Sequence, residues 1–349
     1  MPLHCDIIEK LASERALEKS EWTTLLTNLN EEERELLHKK AAEVATANFG
    51  RGIFVRALLE ISSYCRNNCY YCGIRCSNRD AQRYRLNKEQ ILECCAEGAK
   101  LGFNTFVLQG GEDPKQNDEW VADVVRAIRS EYPDKAITLS VGERSREAYA
   151  AFKEAGANRF LLRHETRNDG HYRELHPTPM SGEERRKCLF TLKELGFQTG
   201  SGMMIGSPGQ TIEHIYEDIR FLEELQPQMI GIGPFLPATG TPFESRPAGS
   251  GEDTILLVSL LRLRFPQALI PATTALSTLL PNGMERAILA GANVVMPNIS
   301  PPEERKKYSI YNNKKSTGAE SAQQMQLLEE RLNAIGYHIN YARGDYRQQ

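Results

Sequence analysis

From residue 53 onward, short apolar runs rich in β-branched residues alternate with stretches whose apolar positions recur every three or four residues. The short runs read as strands over 54–61, 105–109, 137–141, 159–163, 198–205, 229–235, 269–273 and 293–296. The stretches between them read as amphipathic helices over 88–100, 118–131, 145–155, 181–195, 211–225, 252–265 and 283–290. This alternation predicts βαβ units with parallel strands, and eight strands is the count of a closed barrel. The expected fold is α/β, a full (β/α)8 barrel of the TIM type over residues 51–300.

The two ends of the chain follow other patterns. Residues 1–48 have helical spacing throughout, as in Ile7, Ile8 and Leu11 or Leu25, Leu26 and Leu29. Asn30 followed by three glutamates predicts an N-cap with acidic first-turn residues. These residues form an N-terminal helical extension, 1–50. The segment 301–349 is polar to residue 320, then predicts a closing helix over about 321–335 and a flexible end. A weak repeat, Lys100-Leu-Gly-Phe103 and Glu194-Leu-Gly-Phe197, places a glycine where a helix ends and a strand follows.

The chain has 349 residues, 40% hydrophobic and 26% charged, with a net charge of −3. Such a balance without a basic run gives no electrostatic basis for binding nucleic acid. No apolar run approaches the ~18 residues needed to cross a membrane. The first residues lack a basic stretch followed by an apolar core, so a cytoplasmic protein is expected. Eight cysteines, four of them in one loop and two adjacent on a helix, do not form a disulfide framework; they fit a reducing compartment.

The four clustered cysteines carry the chemistry. The stretch Ser63-Tyr-Cys-Arg-Asn-Asn-Cys-Tyr-Tyr-Cys72 follows the first strand directly and sets Cys65, Cys69 and Cys72 at spacings of three and two residues. Soft thiolates suit iron–sulfur clusters, and three of them leave one iron of a cubane open for a cofactor or substrate. Cys76 lies four residues further on, so a closed four-cysteine zinc site or electron-transfer cluster is the competing reading.

Functional residues of an α/β barrel sit at the C-terminal ends of its strands. After the second strand come Gly110, Gly111 and Glu112, a turn that brings backbone close to a ligand. Thr138 and Ser140 share one face of the third strand and can face a polar cavity or fill the barrel. The fourth strand ends in Arg163, His164 and Glu165. Charges beside a core need partners, and Arg163 with Glu165 can bind the two ends of a zwitterion or form a structural pair. Arg185 and Arg186 open a helix, where cations are disfavoured; Arg185 is expected to meet an anion and Arg186 to be solvated. Thr273 and Thr274 offer paired hydroxyls for a carboxylate.

The run C-x3-C-x-aromatic-C after a first strand resembles the signature of the radical S-adenosylmethionine (SAM) superfamily. The resemblance extends through Tyr64-Cys-Arg-Asn-Asn-Cys-Tyr-Tyr-Cys-Gly-Ile-Arg75, Arg83-Tyr-Arg-Leu86, Val107-Leu-Gln-Gly-Gly-Glu-Asp-Pro114, Arg163-His-Glu-Thr166, Gly231-Ile-Gly-Pro-Phe235, Ile270-Pro-Ala-Thr-Thr-Ala275 and Met296-Pro-Asn298. These stretches are similar to the HydE family of FeFe-hydrogenase maturases. The resemblance implies a 4Fe–4S cluster on Cys65, Cys69 and Cys72 whose open iron binds SAM and cleaves it to a 5′-deoxyadenosyl radical. It implies SAM contacts from Tyr71, Gly110, Gly111, Glu112, Ser140, Glu165 and Arg185, and an adenine rest near 203–211. It implies substrate contacts from Thr138, Arg163, Met229, Thr273, Thr274 and Tyr308. The implied partners are a low-potential ferredoxin or flavodoxin, other hydrogenase maturases, and a small cysteine-bound iron carbonyl–cyanide precursor. Some members of the family hold a second cluster on C-terminal cysteines; this chain has no cysteine after Cys188. Methylornithine synthase shares the Tyr-Cys-Arg-Asn stretch, and biotin synthase shares the barrel but needs further cysteines. A non-catalytic iron–sulfur or zinc scaffold stands as the alternative of a different class.

Overall fold

The computed structural model describes residues 2–27, 29–315 and 321–346. Among the described residues, eleven strands run β1 Gly52–Val55, β2 Ala57–Ser62, β3 Thr105–Gly110, β4 Ala136–Ser140, β5 Arg159–Leu161, β6 Gln198–Ser201, β7 Met204–Ile205, β8 Met229–Ile230, β9 Gly233–Pro234, β10 Val294–Val295 and β11 His338–Asn340. The helices are α1 Pro2–Glu14, α2 Lys19–Thr27, α3 Glu31–Phe49, α4 Lys88–Lys100, α5 Asp118–Glu131, α6 Arg146–Glu154, α7 Asp169–Leu175, α8 Gly182–Glu194, α9 Ile212–Leu225, α10 Gly251–Arg264, α11 Thr274–Leu279, α12 Gly283–Leu289, α13 Pro302–Arg305 and α14 Met325–Ala334. The expected helices between the strands recur here. The sequence pattern did not show the short helices α7, α11 and α13.

The fold is α/β with a parallel sheet. Six strands pair in the order β2-β3-β4-β5-β6-β8, and β10-β1-β11 form a second parallel group. Isolated parallel bridges Met229↔Leu269, Pro271↔Val294 and Leu58↔Asn298 join the edges of the two groups. The run expected as one strand over 54–61 is split at Arg56. That side chain is buried, donating to the Met229 sulfur and the Gly344 carbonyl, and the chain passes there from one sheet group to the other.

The N-terminal helices pack on the outside. Asn30 caps α3 with a reciprocal capping box to Glu33, as its acidic first turn predicts. Trp22, Leu25 and Leu37 are fully buried. Arg15 donates to the Leu263 carbonyl and His38 meets the Ser259 hydroxyl, which fix these helices against α10.

The tail differs from expectation. Part of its polar stretch, 316–320, and the last residues of the end expected to be flexible, 347–349, lie outside the described residues, but that end is built in as far as residue 346. Strand β11 pairs with β1 through backbone bonds that polar residues make as well as apolar ones. Beyond it, the Arg343 carbonyl accepts from Thr105 and Arg159, and Asp345 pairs with the fully buried Arg159 guanidinium at 2.6 Å. The tail thus plugs the N-terminal ends of the strands, opposite the cysteine loop. Asp345→Ala is expected to leave Arg159 buried without its carboxylate. The cost is about 2 kcal/mol, between exposed and buried pairs, read as an earlier urea midpoint at unchanged slope.

Candidate active site

Strand β2 ends at Ser62, and the loop that follows folds back over the C-terminal ends of the strands. Arg83 is its spine, donating to the carbonyls of Ser63, Ile74, Arg75 and Asn78. Ser62 and Arg85 both bond Asp113, and the Arg85 guanidinium lies 3.4 Å from the Tyr64 ring centroid. The second loop, after β3, presses against the first. A side chain on Gly111 would stand 2.3 Å from the Tyr64 carbonyl oxygen and 2.7 Å from the Cys65 β-carbon. Only glycine lets the two loops approach so closely.

Below these loops lies a cavity of about 350 Å³. Cys65, Cys69, Tyr71 and Cys72 form one wall, and Gly110, Gly111, Glu112 and Ser140 the next. Arg163, Glu165 and Arg185 continue it, with Thr273, Thr274 and Tyr308 on the remaining side. The structure therefore brings together all the sequence-predicted site residues except two. Thr138 is buried with its hydroxyl unpartnered, and Met229 packs with Leu269 and Val294; neither lines the cavity. Of the segment 203–211, Met204 reaches the cavity, whereas Gly206 to Gly209 line a separate open depression.

The charges in the wall are paired within the protein, and for Arg163 and Glu165 the structure takes the structural pair of the two sequence readings. Arg163 and Glu165 do not stand apart to receive a zwitterion; they bond each other at 2.8 Å. Arg185 has an internal carboxylate, Glu143, at 2.5 Å, and donates through Nε to the Arg163 carbonyl at 2.6 Å. The Glu143 amide donates to Glu112, which in turn pairs with Arg66. Arg186 is buried rather than solvated, held by Asp169 and the Arg167 carbonyl. Burial opposes the Arg185 charge, but Glu143 and then the acidic groups around it hold its pKa well above the usual value. Thr273 does not end a strand; it precedes α11 and makes no capping bond with its side chain.

A model of the radical SAM superfamily matches residues 59–222. The FeFe hydrogenase maturase subunit HydE of Thermotoga maritima is 44% identical over 280 residues, covering 80% of each chain. The chain belongs to the radical SAM superfamily. Within that superfamily it is HydE-like. The 3-methylornithine synthase of Methanosarcina acetivorans is 32% identical over 290 residues, covering 82% of this chain and 81% of that one. The crystal structure of the methylornithine synthase PylB superposes with a TM-score of 0.85 at 27% identity, covering 96% of this chain and 97% of that one.

Membership in the radical SAM superfamily implies a 4Fe–4S cluster, and the donors present fit it. Three free thiols face one cavity across the Gly111 contact. Burial pushes the Cys72 thiol up to about 12 and raises Cys65 and Cys69 as well. All three are shifted toward the thiol form, so ligation by thiolates releases protons. Cys76 is exposed and does not line the cavity.

Sequence reasoning missed Glu60, Gln109, Tyr311 and Lys314, which also line the cavity. Glu60 is fully buried and ion-paired to Lys314. A lone glutamate inside the apolar run Ala57–Ser62 was the available signal.

Two outcomes are expected. In cluster-free protein at pH 8, alkylation followed by mass spectrometry should modify Cys76 well before Cys69 and Cys72, because the thiolate is the reactive form. After anaerobic reconstitution, Cys76→Ala should keep wild-type iron content and Cys69→Ala should lose it. Loss in Cys76→Ala would make that residue a fourth ligand.

Proposed function

We propose that this chain is a HydE-type maturase that cleaves SAM reductively and acts in building the diiron subcluster of FeFe hydrogenase. The observation that carries this reading is the convergence of Cys65, Cys69, Cys72, Glu112, Glu165 and Arg185 on one cavity. The 44% identity to a HydE over most of both chains supports the maturase branch. The closed eight-stranded barrel belongs to the same reading, supported by the parallel bridges that link the two sheet groups.

In this reading Cys65, Cys69 and Cys72 hold the cluster, which when bound supplies the electron that splits SAM into methionine and a 5′-deoxyadenosyl radical. Glu112 and the Gly110–Gly111 backbone offer acceptors for the SAM ammonium. Arg185, oriented by Glu143 and the Arg163 carbonyl, meets its carboxylate. Tyr71, Ser140 and Glu165 complete the SAM side. Arg163, Thr273, Thr274 and Tyr308 take the substrate, a small cysteine-bound iron carbonyl–cyanide precursor delivered by another maturase. A low-potential ferredoxin or flavodoxin is the electron donor. Among the described residues no helix is long and apolar enough to cross a membrane, in keeping with action in the cytoplasm.

A methylornithine synthase-like mutase is the second reading, favoured by the near-complete superposition on PylB. Hydrogenase activation and methylornithine formation, assayed side by side, separate the two.

Arg185→Ala removes charge-assisted bonds worth roughly 1.5–3 kcal/mol. SAM affinity by anaerobic calorimetry should therefore fall about tenfold or more; unchanged affinity would remove Arg185 from the SAM site. Arg163→Ala should reduce hydrogenase activation more than it reduces SAM affinity. Equal loss of both would argue against a substrate role.

A further inference from the structure

Glu165 stands in an unusual backbone conformation. Its φ is 67°, the left-handed region that side chains other than Gly, Asn and Asp avoid. Four other described non-glycine residues share a positive φ, namely Arg15, Gln226, Asn282 and Asn313, and none of them lines the cavity. Such strain persists only where the surroundings over-determine it.

The surroundings here are specific. Glu165 donates its amide to the Gly202 carbonyl at 3.1 Å and bridges Met203. Behind it, on α9, lies Asp218, fully buried on a helix face otherwise lined by Ile215, Ile219 and Leu222. One Asp218 oxygen accepts the Arg167 amide at 2.5 Å and lies 3.3 Å from Nε2 of His164. The fully buried His164 ring is held from its other nitrogen by the Ser201 hydroxyl at 2.9 Å and packs edge-on against Phe221. One carboxylate oxygen therefore bonds the backbone just after the strained residue, at 167, and abuts the ring just before it, at 164, where Nε2 makes no hydrogen bond of good geometry. Burying a carboxylate is costly unless its bonds compensate, and the second Asp218 oxygen has no partner. A packing role alone would be served better by an apolar side chain of the same volume.

We infer that Asp218, acting with His164, is a positioning residue: it holds Glu165 in the left-handed conformation and so presents the Glu165–Arg163 pair to the cofactor cavity. This inference rests on the reading of that cavity as the SAM site. Asp218 lines no part of the cavity. It acts through the turn, whose next links are the Arg163 carbonyl bonded to Arg185 and the Arg185–Glu143 pair.

The test compares Asp218→Leu, which keeps the branched shape and loses the acceptor, with Asp218→Asn, which keeps the acceptor oxygen. The readouts are iron content, thermal midpoint, and the SAM concentration at half-maximal change in the EPR spectrum of the reduced cluster. Asp218→Leu should retain iron and its SAM-free spectrum but need about tenfold more SAM, while Asp218→Asn stays within about twofold of wild type. A folded Leu variant with the wild-type SAM midpoint would overturn the inference. So would an Asn variant as impaired as the Leu variant, because the acceptor would then not matter. If Asp218→Leu does not fold, His164→Asn removes the ring that abuts the Asp218 carboxylate: a raised SAM midpoint supports the inference and an unchanged one overturns it. A wild-type protein whose spectrum ignores SAM would instead overturn the cofactor reading beneath it.

Discussion

The Arg185 guanidinium ties the site together. It reaches from the first turn of α8 to the Glu143 carboxylate after β4 and to the Arg163 carbonyl after β5. Through the Glu143 amide the same chain of bonds continues to Glu112 after β3 and on to Arg66 in the cysteine loop. Four segments that leave different strands are thereby held in one register. Loops alone do not give that precision; hydrogen bonds from rigid elements do. A largely buried cation needs a partner, and Glu143 supplies it without filling the cavity.

The pairing has a chemical consequence. Arg163, Arg185 and Lys314 line the cavity, and each is matched by its own carboxylate: Glu165, Glu143 and Glu60. Glu112 is matched by Arg66. The wall charges named are thus balanced within the protein, and the three cysteines make no bond of comparable strength. A site arranged in this way is preformed for ligands that bring their own charges, because its dipoles need little rearrangement on binding.

The elements of the fold were legible because helix and strand periodicities are local. Where the sequence misled, a distant partner decided the outcome. Arg56 breaks an apolar run only because Met229 and the Gly344 carbonyl receive its guanidinium. Strand β11 has no apolar alternation to announce it, since its pairing with β1 runs through the backbone. For the site, strand-end placement and motif resemblance found the walls of the cavity, because both depend on position along the chain. They did not find who pairs with whom. The Glu60–Lys314 partners lie 254 residues apart, and Asp218 lies 51 residues from the amide it accepts.

The proposed function stands or falls with the open cysteine loop and the paired cavity forming a SAM-cleaving site. The most direct measurement is the EPR spectrum of anaerobically reconstituted, dithionite-reduced protein with and without SAM, with 5′-deoxyadenosine assayed in the same sample. A SAM-cleaving site gives a cubane signal that shifts on adding SAM, with deoxyadenosine formed. A signal indifferent to SAM, or a protein that binds one zinc and no iron, would contradict it.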